Sequence, residues 1–504
     1  MAVIINSATI NNLNGFVIKV EVEIFKGLPS FTIVGLADQS IKESKERIRA
    51  AIVNSGFKFP LGRIVINLAP ANLKKIGSLL DLPMSIGILI ASGQIEAEQV
   101  EDYIIAGELS LNGDIKEIKG LFPILEAGID GGFNKFIIPR ENSYQSSFFY
   151  KGDIFDFDEL KGVINYLTYK DQLPSEKIPF RINKVSSEDL SEIIGQESVL
   201  RAAEIAAAGF HNISFYGPPG AGKTLIANKI ANILPEMSYE EASEIFKIYS
   251  TTDISEEMFK DVRRPFRNPH HSCTSATLIG GGSGKVGEVT LAHNGVLFLD
   301  EFLQFNKECI NQLREPLENR EVQISRLNNN VKLPANFMLI TAFNPCPCGW
   351  NLSFSKDCMC SDLEKKRYLS KLSKPILDRI DIFTYVPRVD ISKRNIKNQK
   401  ALSKKIIKNI KSAAEIQNIR YQNEQVKHNA NVKSKDIMRL FNVDNEALDK
   451  LEAIYDKFNL SMRGYYKILK ISRTIADLNG EEALKSSHIY EALSYRKFID
   501  GEVI

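Results

Sequence analysis

The sequence has no apolar run near the ~18 residues that a membrane-spanning helix needs. Its first residues, Met1 to Ile5, lack the basic segment and the cleavage pattern of a secretory signal. It has no strong excess of charge either, because 64 basic residues oppose 62 acidic residues. We therefore expect a cytoplasmic protein with no membrane partner, in which any surface that binds DNA is local.

Cysteine is also scarce, with six residues in 504, yet four of the six lie within residues 346–360. One residue separates Cys346 from Cys348, and Cys358 and Cys360 repeat this spacing. Four thiolates paired in this way suit a tetrahedral zinc ion, and free reduced thiols are the alternative. In a reducing compartment such a cluster indicates a metal before a disulfide.

A glycine-rich segment between a predicted strand and a predicted helix is the strongest signal in the sequence. Strand 213–216 leads into Gly-Pro-Pro-Gly-Ala-Gly-Lys-Thr, which matches a P-loop in full. Its glycines let backbone N–H groups approach a triphosphate at a helix N-terminus. We expect Lys223 to contact the β and γ phosphates and Thr224 to bind Mg²⁺. The predicted ATP-binding residues of this loop are Gly217, Pro218, Pro219, Gly220, Ala221, Gly222, Lys223 and Thr224.

A second apolar strand, residues 296–299, ends in the carboxylates Asp300 and Glu301. Asp300 is expected to join Thr224 in the Mg²⁺ shell, and Glu301 to orient and deprotonate the attacking water. Alone, a strand that ends in Asp-Glu is equally consistent with a capped helix start. Combined with the P-loop, it predicts an ATPase that uses ATP and Mg²⁺.

The N-terminal part of the chain has the strand and helix patterns of an α/β domain. Segments 74–81 and 107–114 resemble the proteolytic domain of Lon-type ATP-dependent proteases, which use a Ser-Lys dyad. At the dyad positions this sequence has Leu79 and Ile124, with Ser78 one residue away. Because isoleucine cannot act as a base, the resemblance implies a Lon-like (ribosomal S5-like) fold without peptidase activity.

Two positions resemble the sensor residues of AAA+ ATPases. Asn344 ends the apolar strand 337–343 and matches sensor 1, which helps to hold the hydrolytic water near the γ-phosphate. A turn-forming Asn before Pro345 is the alternative. Arg463 matches the sensor 2 arginine of the lid, which implies a contact with the γ-phosphate.

Arg379 lies in the run Leu-Asp-Arg-Ile-Asp, which resembles the arginine-finger segment of the magnesium-chelatase and MCM-type branch. Such a guanidinium reaches the neighbouring subunit's γ-phosphate and stabilises the charge that develops on it. The alternative is a surface ion pair with Asp378 or Asp381. A working arginine finger would require a ring of subunits.

Two segments are candidates for contact with DNA. The triglycine run 280–282 is followed by Lys285 and suits a mobile loop that reaches into a pore. Residues 321–333 alternate on both sides of an asparagine-rich turn, which predicts a β-hairpin. In the MCM-type branch such a hairpin contacts DNA, which makes Arg326 and Lys332 candidate phosphate contacts. An ordinary solvated hairpin is the alternative.

Two other polar segments carry weaker signals. The adjacent His270 and His271 suggest zinc, but consecutive side chains diverge and no third ligand is spaced for it. We therefore predict a structural or DNA-facing loop there. The lysine-rich stretch 393–411 could present a basic face, although such a run is more often the solvated side of a helix.

In combination, the Lon-like segments, the His-His and triglycine segments, the ATPase motifs and the run Asn-Pro-Cys-Pro-Cys-Gly at 344–349 resemble the ComM/YifB family of magnesium-chelatase-like AAA+ ATPases. The expected fold class is α/β with a helical C-terminal part. The predicted layout is a Lon-like domain at 1–165, a linker at 166–188, an AAA+ P-loop αβα sandwich at 189–388 with a Cys-rich insert at 346–360, and a helical lid at 389–504.

The resemblance also implies a bacterial, cytoplasmic, ring-forming protein, expected to be a homo-hexamer that acts on single-stranded or branched DNA. The family's competence-associated members are hexameric helicases that promote branch migration when incoming single-stranded DNA recombines with the chromosome. Two alternatives stay open. One is an ATPase subunit that drives magnesium insertion into a porphyrin, and the other is a nucleotide-switched scaffold.

Overall fold

A computed structural model of the chain describes residues 2–75, 77–179, 190, 192–193, 196–253, 258–259, 262–281, 285–326, 329–352, 356–389 and 396–496. The chain forms two compact units. The first contains Met1–Ile182 and Ser238–Val262, and the second contains Asn183–Met237 and Arg263–Ile504. None of the described helices is both long enough and apolar enough to span a membrane.

The first unit is built on a four-stranded sheet in which alternate side chains are buried. Ile18, Val20 and Val22 point into the core from the second strand, as the alternation of apolar and charged residues predicts. Three strands run antiparallel to their neighbours, and the edge strand pairs in parallel. In sheet order the strands are Val3–Asn11, Asn14–Phe25, Arg63–Ala69 and Ser30–Val34.

The helix Gln39–Asn54 begins where the sequence predicts a cap. Asp38 accepts a hydrogen bond from the backbone N–H of Ile41 at 3.0 Å. Ile41, Ile48 and Ile52 are fully buried on one face of this helix, so the predicted amphipathic pattern is confirmed.

A second, parallel sheet and further helices complete the first unit. The parallel strands, in sheet order, are Tyr103–Ile105, Lys135–Pro139 and Asp153–Phe157. A short antiparallel pair is formed by Glu108–Leu109 and Ile115–Lys116. The other helices of this part of the unit are Asp81–Ala91, Leu121–Asp130, Ser143–Ser146 and Leu160–Tyr169.

Residues 238–262 interrupt the predicted ATPase core and fold with the first unit, an arrangement that the predicted layout did not include. The cause is an aromatic cluster. Phe246 and Phe259 stack with ring centroids 4.5 Å apart, and both rings lie within 6 Å of the ring of Phe122. The helix Tyr239–Tyr249 carries Phe246 into this cluster and begins with a capping box.

The second unit is built on a five-stranded sheet whose paired strands are all parallel. The central strands are buried along their whole length, which is typical of a parallel sheet covered on both faces. In sheet order the strands are Phe266–Arg267, Val296–Leu299, Met338–Phe343, Ile213–Tyr216 and Ile382–Tyr385. Two long helices belong to this core, Glu197–Gly209 and Lys223–Ile233. Shorter helices are Ser275–Ile279, Glu288–Leu291, Lys307–Gln312, Arg314–Asn319, Asp362–Leu369 and Lys374–Leu377.

The C-terminal part of the second unit is helical, so the expected α/β class with a helical C-terminal region is confirmed. Its helices are Ile396–Arg420, Ile437–Leu440, Asn445–Lys457, Met462–Leu478 and Ser486–Ser494. In the first of these, Ile406 and Ile410 are buried whereas Lys404, Lys405 and Lys408 are exposed. The described lysines of the predicted basic run therefore lie on the solvated side of a helix.

A buried ion network stabilises this helical region. The fully buried carboxylate of Asp477 accepts hydrogen bonds from Arg473 at 3.0 Å and from Arg420 at 2.5 and 2.8 Å. Asn429 adds a hydrogen bond at 2.8 Å. Buried charges of this kind are tolerated only when they are paired and fully hydrogen-bonded.

Candidate functional site

The P-loop lies where the sequence predicts it, between strand Ile213–Tyr216 and helix Lys223–Ile233. Gly220 and Gly222 have φ angles of +71° and +87°, which favour glycine. Gly217 has a different constraint, because a Cβ at this position would lie 2.2 Å from the carbonyl oxygen of Val386. Because glycine has no Cβ, the backbone at these positions can form the open turn that binds a phosphate group.

The amine of Lys223 is turned back on the loop. It donates hydrogen bonds to the carbonyl oxygens of Gly217 at 2.8 Å and Pro218 at 2.9 Å, and to Oδ1 of Asn344 at 3.1 Å. Burial lowers the pKa of Lys223 to about 8. An anion within the loop would replace these carbonyl partners and favour the charged amine.

The two predicted Mg²⁺ ligands are in direct contact. The hydroxyl of Thr224 donates a hydrogen bond to Oδ2 of Asp300 at 2.7 Å. Hydroxyl and carboxylate oxygens are the hard donors that Mg²⁺ prefers, so this pair fits the ion. When bound, Mg²⁺ would neutralise charge on the nucleotide phosphates.

Glu301 lies next to this pair in a strained backbone conformation. Its φ angle is +49°, which is uncommon outside glycine, and its N–H donates to Oδ1 of Asp300 at 2.8 Å. Its side chain is 54% exposed, which leaves the carboxylate accessible to a water molecule and a nucleotide. Strained residues of this kind cluster at functional sites.

His271, which the sequence analysis assigned to a structural or DNA-facing loop, lies beside the predicted catalytic carboxylate. Its Nδ1 atom lies 3.5 Å from Oε2 of Glu301. The neighbouring His270 instead pairs with Ser272 through Nδ1, at 2.8 Å from Oγ. The two rings pack against each other with centroids 4.1 Å apart, but among the described residues they do not belong to a group of three or more side chains that could hold a metal ion. Strand Phe266–Arg267 pairs with strand Val296–Leu299. This pairing places the histidine loop, which follows the first strand, beside Asp300 and Glu301, which follow the second.

Gln196 is a residue that the sequence did not identify as part of the site. Its buried amide donates to the carbonyl oxygens of Ala221 at 3.1 Å and Pro387 at 2.8 Å. This side chain ties the P-loop to the segment that follows the last strand of the sheet. Its only signal in the sequence was its position in Ile-Gly-Gln-Glu, shortly before the P-loop.

The topology places the predicted site residues at two opposite edges of the sheet. The P-loop, Asp300 and Asn344 each follow the carboxyl end of a parallel strand, so they share one edge. Arg379 precedes strand Ile382–Tyr385, which runs parallel to strand Ile213–Tyr216. Its carbonyl oxygen accepts a hydrogen bond from Asn212, at the start of the latter strand.

At that second edge Arg379 and Arg463 share one carboxylate. Glu318 pairs with the guanidinium of Arg379 and, through Oε1, with that of Arg463 at 2.7 Å. Arg379 also donates to the carbonyl oxygens of Arg314 and Pro375. Among the described residues, Arg379 forms neither of the alternative ion pairs, with Asp378 or with Asp381.

These arginines line a cleft of about 310 Å³ in the second unit. Six basic and three acidic side chains surround it, so its net charge favours an anion. Burial lowers the pKa of Lys467 and of Lys470 to about 8. Lys467 pairs with Asp381 at 2.5 Å. The basic residues are Arg320, Arg379, Lys433, Arg463, Lys467 and Lys470, and the acidic ones are Glu318, Asp378 and Asp381.

The predicted β-hairpin is confirmed. Strands Glu321–Arg326 and Asn329–Pro334 pair antiparallel, with Val322 opposite Leu333. Lys332 points to solvent and forms an ion pair with Glu321 at 2.9 Å. The side chain of Arg326 lies outside the part of the chain that the structure describes.

The other predicted DNA contact, Lys285, belongs to the short strand Lys285–Val286, which pairs with Gly280–Gly281. Its side chain is also outside the described part, as are residues 282–284 of the predicted mobile loop. The assignment of these residues to DNA stays a prediction.

At the positions matching the Lon dyad, the described side chains are apolar and buried. Leu79 is 5% exposed and Ile124 is completely buried. The hydroxyl of the adjacent Ser78 donates a hydrogen bond to the carboxylate of Glu108. A carboxylate does not replace the neutral lysine that acts as the base in a Ser-Lys dyad. The expectation that the chain is not a peptidase stays a prediction.

The four clustered cysteines converge on one point. All four Sγ atoms lie within 4.8 Å of one another, and Cys346 is buried. The zinc prediction is therefore compatible with their arrangement.

Comparison with known proteins covers nearly the whole chain. Three family models match: magnesium chelatase, subunit ChlI, at residues 189–394; subunit ChlI of Mg-chelatase at 20–142; and the C-terminal part of magnesium chelatase subunit ChlI at 400–496. Competence protein ComM of Haemophilus influenzae is 37% identical over 489 residues, which cover 96% of this chain and 95% of that protein. Protein YifB of Escherichia coli is 36% identical over 499 residues, covering 98% and 96%.

A more distant relative is a Lon protease by name. Lon protease 2 of Bacillus subtilis is 26% identical over 227 residues, which cover 39% of this chain and 40% of that protease. The near-complete match to ComM and YifB, with the P-loop and the paired carboxylates at one edge of a parallel sheet, leads to one assignment. The chain belongs to the ComM/YifB family of magnesium-chelatase-like AAA+ ATPases.

Proposed function

We propose that this chain is a cytoplasmic, ring-forming ATPase, expected to be a hexamer, that moves along DNA and drives branch migration in recombination. The observation that carries the proposal is the separation of the P-loop from Arg379 by the length of the sheet. A strand of four residues spans about 13 Å at ~3.3 Å per residue. This distance supports the proposal that Arg379 serves the nucleotide of a neighbouring subunit and not that of its own chain.

The chemistry proposed for the nucleotide follows from the contacts at the P-loop edge. Lys223 and the loop N–H groups bind the phosphates, and Thr224 and Asp300 hold Mg²⁺. Glu301 takes the proton of the attacking water, while Asn344 holds that water near the γ-phosphate. The P-loop and the paired carboxylates are the parts that phosphoryl transfer needs from one subunit.

The cleft at the opposite edge would complete the site of the neighbouring subunit. Glu318 holds Arg379 and Arg463 side by side, so both guanidinium groups would reach the same phosphate. Arg463 then acts as a sensor for the neighbour's nucleotide. Stabilisation of the transition state by an arginine finger is worth ~10³-fold or more in rate.

The proposed action on DNA rests on the hairpin and on the relatives. A hairpin that carries the exposed Lys332, with Arg326 in its other strand, suits contacts to phosphates that do not depend on base sequence. The relative ComM is a competence protein by name, which favours DNA taken up from outside as the substrate. Single-stranded and branched DNA are the expected partners.

A mixing experiment tests the supply of Arg379 by a neighbour. Lys223→Ala and Arg379→Ala are each expected to be inactive. In a 1:1 mixture that assembles at random into rings, about one quarter of the interfaces would combine Lys223 of one subunit with Arg379 of the next, so part of the ATPase activity should return. The matched control mixes Lys223→Ala with the double variant Lys223→Ala/Arg379→Ala, which has no competent interface. Failure of the first mixture to regain activity, with exchange of subunits demonstrated, contradicts the proposal.

Steady-state ATP hydrolysis with single-stranded DNA, branched DNA and no DNA tests the substrate. We expect strong stimulation by DNA that is lost in Lys223→Ala and Arg379→Ala. Hydrolysis that no DNA changes would favour the two alternatives instead. The matches to magnesium chelatase subunits favour an ATPase that drives magnesium insertion, and slow hydrolysis would favour a nucleotide-switched scaffold.

A further inference from the structure

The cysteine cluster lies directly beside the nucleotide site. Cys346 follows Asn344 by two residues, and the turn Cys346–Gly349 is closed by a hydrogen bond from the N–H of Gly349 to the carbonyl oxygen of Cys346 at 2.9 Å. Gly349 has a φ angle of +80°, which glycine adopts readily. This tight turn brings two of the four sulfur atoms close to the end of strand Met338–Phe343, which Asn344 follows.

The spacing of the sulfur atoms fits a single small ion. The Sγ atom of Cys346 lies 3.3 Å from that of Cys348 and 3.6 Å from that of Cys358, and the last two are 3.6 Å apart. Four ligands at the Zn–S distance of about 2.3 Å in a tetrahedron would be about 3.8 Å apart. An iron–sulfur cluster separates its cysteine ligands further, because they bind different iron atoms.

The surroundings of the sulfur atoms also suit a metal site. The backbone N–H of Asn351 donates to Sγ of Cys346 at 3.3 Å, a contact that stabilises a thiolate. The apolar side chains of this segment do not pack a core of their own, since Met359 is 91% exposed and Leu352 is 39% exposed. A bound ion would hold such a segment together.

The turn touches two parts of the ATPase machinery. A Cβ built on Gly349 would lie 2.6 Å from Cδ of Pro219 in the P-loop and 3.6 Å from Cγ of Asn344. Asn344 in turn accepts the hydrogen bond from Lys223. The backbone of the cysteine turn therefore packs against the phosphate-binding loop and the sensor at the same time.

We infer that Cys346, Cys348, Cys358 and Cys360 bind one zinc ion, and that this zinc site holds the turn at Gly349 against Pro219 and Asn344 so that the P-loop is preformed for nucleotide. The cysteines are positioning residues, since none of them contacts the phosphate-binding groups. This inference rests on the nucleotide site described above, but it does not require the proposed action on DNA.

The metal is tested first, on the full chain purified under reducing conditions without chelator. Zinc analysis is expected to give about one ion per chain, falling below about 0.2 in Cys358→Ser. Cys273→Ser is the matched control, because Cys273 lies outside the cluster, and it should keep its zinc. Co²⁺ added to the zinc-depleted protein should give the absorption bands of a tetrahedral tetrathiolate site. Absence of both zinc and these bands overturns the site.

The link to the nucleotide is tested by the affinity for a fluorescent ATP analogue without DNA. Cys358→Ser and Gly349→Ala are expected to weaken binding about tenfold, and Gly349→Ala should keep its zinc. Gly480→Ala is the control for backbone strain, because Gly480 has a φ angle of +70° but nothing within 4 Å of an added Cβ.

Full affinity in Gly349→Ala and in folded, zinc-free Cys358→Ser overturns the proposed link. Circular dichroism establishes that each variant is folded. A failure of the proposed DNA function would leave the zinc content and the nucleotide affinity unchanged, so the two failures are distinguishable.

Discussion

His271 and Glu301 face each other across the edge of the sheet, with Nδ1 of the imidazole 3.5 Å from Oε2 of the carboxylate. They follow different strands of the sheet, Phe266–Arg267 and Val296–Leu299, and are 30 residues apart in the sequence. Glu301 is the proposed base, and its backbone is strained, so its side chain needs external contacts to keep one orientation. His271 is in position to supply such a contact.

Removal of the His271 imidazole should slow hydrolysis without preventing nucleotide binding. We expect His271→Ala to lower kcat about 10- to 100-fold, because small misplacements of a catalytic group have effects of this size. The affinity for ATP should stay within about twofold of the original, since His271 touches no phosphate-binding residue in the described part of the chain. Steady-state kinetics measure both quantities. His270→Ala is the comparison, because it removes the ring that packs against His271 with centroids 4.1 Å apart but keeps the imidazole that faces Glu301, and an equal loss in both variants would contradict the specific role of His271.

The low pKa of Lys223 predicts that nucleotide affinity depends on pH. The pKa of about 8 means that the amine is charged below pH 8 and loses its proton above it. Binding of the phosphates requires the charged form, so affinity should fall as pH rises from about 7 to about 9, by up to about tenfold per pH unit above the pKa. Titration calorimetry in buffers of different ionisation enthalpy would also detect the proton taken up.

Lys223→Arg is the matched variant, because a guanidinium does not titrate in this range. Its affinity is expected to be lower but independent of pH between these limits. The same pH dependence in both proteins would show that another group is responsible.

Substitutions at the two members of the hairpin's ion pair are expected to change the affinity for DNA in opposite directions. Lys332→Ala should weaken binding of single-stranded DNA and reduce the slope of log affinity against log salt by about 0.7 for each phosphate that the protein no longer neutralises. Glu321→Gln should strengthen binding, because it frees Lys332 from its partner. Fluorescence anisotropy over a series of salt concentrations measures both effects.

Lys485→Ala is the control for the hairpin, since Lys485 is similarly exposed and pairs with Glu481 at 2.6 Å. Its DNA binding should not change. Equal decreases in DNA affinity for Lys332→Ala and Lys485→Ala would indicate a general effect of charge in place of binding by the hairpin.

Removal of the Asp477 carboxylate is expected to lower the free energy of unfolding strongly. Replacement of Asp477 by alanine leaves the guanidinium groups of Arg420 and Arg473 without their buried partner, which should cost about 3–5 kcal/mol. Trp350 is the only tryptophan and belongs to the second unit, so its fluorescence reports denaturant unfolding of that unit. Asp449→Ala, at an exposed position of helix Asn445–Lys457, should change stability by less than about 0.5 kcal/mol.

Patterns of neighbouring residues predicted the parts of the site that lie within a few residues of each other. The P-loop, the strand before Asp300 and Glu301, and the hairpin around Lys332 each carry their own periodicity and turn residues, so their local structure follows from local chemistry. The four cysteines belong to this group as well, because their short spacings already restrict the sulfur atoms to one region.

Contacts between residues far apart in the sequence could not be predicted in this way. The approach of His271 to Glu301, of Gln196 to Ala221 and of Arg463 to Glu318 depends on how strands and helices are ordered in space. The same holds for residues 238–262, whose aromatic side chains join the first unit although their neighbours in sequence form the ATPase core.

The amino-acid sequence alone was therefore sufficient to identify the candidate residues of the nucleotide site, because phosphate and Mg²⁺ ligation need particular residue types at fixed short spacings. The tertiary structure decided which edge of the sheet each group occupies. Parallel strands place everything that follows them at one edge and everything that precedes them at the other. That geometry separates Arg379 from Lys223 within one chain, and no local pattern contains this information.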